Sequence, residues 1–206
     1  MRKRRAVWIP VASLLAALTA SAALAGTASA SQWKFNGTTL VGSETVTAET
    51  AKSSLALNGL TTSCAATAEL TISNSGGVGV ATVNSVSLSG CGTDGVCTVE
   101  EAKANGLPWS ATTSAIGGSS YLKTASFNES FLYGNELCAV EGWTFTYKGS
   151  IGGLFDNATS KLVFDAASEK ATGSKVTTFG STEAKYSAEY NVKATGAHAG
   201  QALTLS

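Results

Sequence analysis

The chain has 206 residues, 14 Lys and Arg against 14 Asp and Glu, and no formal net charge. Four of the cations crowd into Met1-Arg2-Lys3-Arg4-Arg5; from Ser31 onward 10 Lys and no Arg face 14 acids, a net charge of −4. Phosphate-backbone binding depends on clustered cations, so nucleic acid is excluded as a partner.

The basic start leads into Ala6 to Gly26, almost all Ala, Leu, Val and small residues, and then into Ala28-Ser29-Ala30. Charge, apolar run and small-x-small triple in that order read as a secretory signal peptide over 1–30, which leaves 31–206 as one exported domain. Its length suits a single core. Four cysteines in an exported chain read as two disulfides. The chain has no Cys-x-x-Cys and His198 is its only histidine, so no metal site is expected. Cys64–Cys91 with Cys97–Cys138 is favoured; Cys91–Cys97 with Cys64–Cys138 is the alternative.

In chain order, Trp33-Lys34-Phe35 and the turn dipeptide Asn36-Gly37 predict a hairpin into Thr38 to Val41. Glu44 to Ala48 and Ser54 to Leu60 are further candidate strands. Thr61 to Ser73 and Val80 to Cys91 predict a central hairpin about Gly77-Val78, which sets Cys64 opposite Cys91. That register splits the apolar residues between two faces, and one residue bulged into the first strand between Cys64 and Leu70 would reconcile them. Cys97 to Glu101, Pro108 to Ser114 and Tyr121 to Tyr133 follow, and Glu100 to Gly106 reads as a helical turn or a prolonged strand. Glu141 to Ile151 alternates with Trp143, Phe145 and Tyr147 on one face. Asp156 to Ser160 is a turn returning through Leu162-Val163-Phe164. Ala184, Tyr186, Ala188, Tyr190, Val192 and Ala194 form the cleanest period-2 face, backed by Lys185, Ser187, Glu189, Asn191, Lys193 and Thr195. A last short strand runs over Ala202, Leu203 and Leu205. With helix signals nearly absent, the expected fold is all-β: an antiparallel sandwich or closed barrel of about ten short strands, stapled by disulfides.

Gly90-Cys91, Gly106-Leu107-Pro108-Trp109, Cys138 and Phe155-Asp156-Asn157-Ala158-Thr159-Ser160-Lys161-Leu162 occur in that order. Over Cys64 to Asp165 this pattern resembles a group of small exported proteins of high-GC Gram-positive (actinobacterial) genomes. The resemblance implies an exported β-protein. That group has no established activity, so no functional residue carries over.

Catalytic motifs are scarce. A Ser-His-acid triad would rest on His198 in Gly196-Ala197-His198-Ala199-Gly200, a loop in which a histidine is most often solvated, and no Gly-x-Ser-x-Gly elbow exists. Glu100 and Glu101 point to opposite faces of a strand, and Glu129, Glu136 and Glu141 have no assignable place. No enzymatic activity and no cofactor are expected. The candidate ligand-binding residues are Trp109 and Trp143, which could stack on sugar rings, although aromatics at period-2 spacing more often fill a core. The expectation is a secreted or cell-wall-associated structural or binding module with a cell-wall glycan or another surface protein as partner. A membrane-inserted β-barrel or pore component, favoured by an outward apolar band, and a carbohydrate-active enzyme, favoured by two facing carboxylates, are the alternatives.

Overall fold

The structure is a computed structural model that describes residues 30–206, so the expected signal segment lies outside the described residues except for Ala30. Thirteen strands and one helix follow in chain order: β1 (Trp33–Phe35), β2 (Thr38–Thr39), β3 (Ser43–Leu57), β4 (Leu60–Ser75), β5 (Val78–Thr93), β6 (Thr98–Ala104), β7 (Trp109–Ile116), β8 (Ser119–Gly134), β9 (Thr144–Asp156), β10 (Lys161–Phe164), α1 (Ala166–Thr172), β11 (Lys175–Thr178), β12 (Thr182–Ala194) and β13 (Leu203–Leu205).

The strand pairings close on themselves. β3 pairs with β4 and β4 with β5; β6 and β7 lie end to end between β5 and β8; β8 pairs with β9; β10 and β11 lie end to end between β9 and β12; and β12 returns to β3. Every pairing is antiparallel and each wall position is joined to the next in sequence. The sheet is therefore an up-and-down barrel of eight wall positions, two of them made from two short strands each. Of the two expected architectures it is the closed barrel, which leaves no open sheet edge. Three strands run to 16 residues, longer than the short strands expected.

Alternation decides inside from outside. Along β12 the Ala and Tyr face is buried and the Lys, Ser, Glu, Asn and Thr face is exposed. On β3, β4 and β5 the outward positions include Thr45, Thr47, Thr67, Thr71, Thr82, Ser85 and Ser87, so the outer wall is rich in hydroxyls and charges. One end of the barrel is capped by a small sheet, β13-β1-β2. Trp33 and Leu205 seal it, with the Trp33 indole donating to the Val80 carbonyl at 3.0 Å and packing edge-on against Phe155.

Both favoured disulfides are present, Cys64–Cys91 and Cys97–Cys138. The central hairpin differs from the expected register. The turn is Gly76-Gly77, with φ of 58° and 82°, and Ser75 pairs with Val78. Two successive left-handed residues are what a tight I′ hairpin needs, and only the glycine pair supplies them without strain. The bulged residues lie in β5, at Asn84 and around Gly90-Cys91, not in the first strand. Together they bring Cys64 to Cys91 while keeping Leu70, Ile72, Ala81 and Val83 all inward.

Glu44 to Ala48 and Ser54 to Leu57 are one strand interrupted by a bulge between Thr50 and Ser53, and Glu100 to Ala104 prolongs a strand. Two elements have no counterpart in the expected order: the strand β11, and α1, capped by Asp165, which accepts from the Ser168 N–H at 2.7 Å, and closed by Gly173 at φ 60°. The helix sits where the wall passes from β10 to β11, so the excursion leaves the barrel and returns to the same wall position.

Candidate functional site

Midway along the barrel the inward side chains leave a cavity of about 70 Å³. Its aliphatic wall includes Leu70, Val83, Leu122 and Leu162, and its aromatic wall is Trp109, Phe127, Phe164, Tyr186 and Tyr190. The rings form a continuous series, with centroids 5.6 Å apart for Trp109–Phe127, 5.2 Å for Phe127–Tyr186, 5.4 Å for Phe164–Tyr186 and 6.0 Å for Phe164–Tyr190. A cavity this size exceeds the roughly 10–15 Å³ that one water occupies, so it has room for a small molecule.

Among the residues lining the cavity, Glu129 is the one acid. Its side chain is 3% exposed, and burial alone pushes its carboxyl up to about 8, with no hydrogen bond or cation offsetting it. A buried carboxyl without a partner is costly, and it stays neutral rather than carry its charge into apolar surroundings. The Tyr186 and Tyr190 hydroxyls lie 2.8 Å apart and hydrogen-bond to each other. Burial raises both phenols far above the ordinary range, and the proximity of Glu129 adds to the effect on each. The site is thus one proton-bearing carboxyl and a paired phenol in an otherwise apolar, aromatic chamber.

The backbone explains why Glu129 faces inward. Ser120, Leu122 and Thr124 of β8 are buried, then a bulge between Thr124 and Phe127 changes the parity, and Phe127, Glu129, Phe131 and Tyr133 are buried instead. The flanking residues at i−2, i+2 and i+4 are all aromatic. That setting, an acid on an apolar period-2 face, is the signal by which the sequence could have pointed to Glu129.

The two tryptophans expected to bind ligand do not share a site. Trp109 is buried, lines the cavity and donates its indole N–H to the Asn105 carbonyl at 2.8 Å. Trp143 precedes β9 and is 57% exposed, while Phe145 and Tyr147 face the interior, so the face expected to unite the three ends at the barrel rim. Val96, Leu137 and Phe179 are also exposed in the loops at that rim, beside the Cys97–Cys138 bridge.

His198 is half-buried and paired rather than freely solvated as expected of a loop histidine. Its Nδ1 lies 2.7 Å from Glu44 Oε2, and its ring stacks on Phe35 with centroids 4.3 Å apart. The hydrogen bond to His198 is the main cause that holds the Glu44 carboxyl below its ordinary range. Glu44 Oε1 is covered and unpartnered, and a Cβ on Gly196 would run into it. The pair fastens the loop after β12 to the start of β3.

A second, smaller void of about 10 Å³ lies under α1. It shares Ile151, Phe164 and Tyr186 with the central cavity, so three side chains separate the chamber from the stretch of wall where β10 gives way to β11. Among the described residues no cluster of His, Cys, Asp and Glu has the makings of a metal site. Comparisons with protein-family models, curated proteins and solved structures yielded no match.

Proposed function

We propose that the protein is a non-enzymatic binding module that works outside the cytoplasm and takes a small ligand inside its barrel. The observation that carries this reading is the central cavity: a chamber with apolar and aromatic walls and one unpartnered polar group is the usual form of a small-molecule site. Eight strands make a barrel wide enough to hold one such ligand.

The two disulfides fit an oxidising, extracellular setting, in keeping with the leader-like start of the chain. The hydroxyl-rich outer wall and apolar interior are the reverse of a membrane barrel, and so favour a barrel surrounded by water over the pore alternative. A single acid at the cavity weighs against the paired-carboxylate chemistry of a carbohydrate-active enzyme.

The test is to add tert-butanol, small enough for the chamber, and follow the Trp109 indole and the Leu122 and Leu162 methyls by NMR. Saturable shifts confined to the cavity residues support the reading. Shifts confined to Trp143 and the rim loops refute it. They would favour the second reading, an external surface that stacks on a cell-wall glycan through Trp143, which is supported by that ring's exposure.

A further inference from the structure

We propose that the ligand class of the central cavity is a small alkylammonium cation, held by the Glu129 carboxylate as counter-ion and by the faces of the surrounding aromatic rings. The inference rests on the reading of the cavity as a binding site and adds what that site selects.

Three observations converge on it. Glu129 is buried, lines the chamber and has no partner of its own, so the site offers a charge-complementing group that the protein leaves unused. Five aromatic rings from β7, β8, β10 and β12 line the same space. Ring faces attract cations within about 6 Å of their centroids, and most strongly once water is removed, which is how aromatic cages recognise methylated ammonium groups. The volume of about 70 Å³ sets the size, since it is about half of the roughly 150 Å³ that takes up benzene and so favours a compact group of a few non-hydrogen atoms. A methylated ammonium ion meets all three conditions. An anion of the same size gains nothing from the ring faces or from a carboxylate, and a longer amine exceeds the volume.

The proton balance is explicit. Without a bound cation Glu129 is the neutral acid, so binding a permanent cation at neutral pH releases the Glu129 proton to solvent and leaves a carboxylate beside the cation. The titratable groups that face Glu129 are Tyr186 and Tyr190 of β12, both kept neutral by burial. Lining residues from β3, β4, β5, β7, β9 and β10 carry no titratable group. Affinity therefore strengthens about tenfold per pH unit through the range where Glu129 still holds its proton, and levels off near pH 8.

The experiment titrates the full exported chain with tetramethylammonium and, separately, with tert-butanol, each of five non-hydrogen atoms. The readouts are calorimetry and cavity-residue NMR at pH 6, 7 and 8, on wild type and on Glu129→Gln. The expected result is cation binding that tightens about tenfold per unit, releases one proton at pH 6 and weakens at least tenfold in E129Q. Retained tert-butanol binding in E129Q would show that the variant's chamber is intact. Equal cation affinity in both proteins, or tert-butanol binding with no cation binding, overturns the ligand class and leaves the cavity reading standing. Binding of neither probe to wild type overturns both.

Discussion

Replacing Glu129 by Gln removes the one carboxyl of the chamber while keeping its shape, and the consequence can be worked out in advance. The carboxyl titrates near 8 in the folded barrel and near 4.5 when exposed. Below pH 4.5 both states are protonated and the group is neutral toward stability. Between 4.5 and 8 the unfolded chain releases its proton while the folded one retains it, so stability falls as pH rises; above 8 the loss is complete. At about 1.4 kcal/mol per unit, reduced near each midpoint, wild type loses about 3.5 kcal/mol from this group between pH 5 and pH 8. E129Q lacks that slope. Urea unfolding of both proteins at pH 5, 6, 7 and 8 gives the difference directly, and whatever burying the amide costs is constant with pH and cancels from the slope. The two curves should diverge steadily, with E129Q gaining on wild type as pH rises. Parallel curves would refute a buried, unpartnered carboxyl at this position.

Glu44 has the opposite sign, because its carboxyl is held below the ordinary range by His198. The stability it adds is present above pH 4.5 and is lost as pH falls further, so Glu44→Gln should flatten the acid limb of the unfolding profile. Gly196→Ala places a Cβ against Glu44 Oε1 and should destabilise the β12–β3 junction, read as a lower midpoint in the same urea assay. Truncating Trp109, which is buried against Phe127, should cost about 3–5 kcal/mol, whereas Trp143→Ala at the exposed rim should stay within about 0.5 kcal/mol. Serine at both Cys97 and Cys138 opens a loop of 41 residues and should lower stability by about 3–4 kcal/mol, measured against the oxidised parent.

The residues that wrote the fold most plainly are those of β12, whose unbroken alternation over Ala184 to Ala194 fixes both the strand and its buried face. Cys64 with Cys91 was legible for a related reason: the paired strands are long, and the pairing tolerates an error of one or two residues in register. Bulges are where the reading failed. Each shifts the inward parity by one, and period-2 reasoning has no means of locating the shift, so Asn84 and Gly90 were missed and Glu129 had no assignable side. The helix α1 was missed because seven residues carry no helical periodicity. Its marks are local, an Asp165-x-x-Ser168 cap and Gly173 at the close, and they stand out only once the wall has been seen to break between Phe164 and Lys175. Trp143 shares the period-2 face of Phe145 in the sequence, but a sequence does not say where the wall ends; the wall begins at Thr144, one residue too late to enclose it.

Glu129 sits in an apolar chamber as a neutral acid and, in the proposed function, becomes a carboxylate when a cation arrives. The most direct measurement is the carboxyl carbon of Glu129, followed by ¹³C NMR from pH 4 to pH 10 with and without saturating tetramethylammonium. The expected result is a midpoint near 8 in the free protein and a marked fall in that midpoint with the cation bound. A carboxyl already ionised at pH 6 in the free protein, or a midpoint indifferent to the cation, would contradict it.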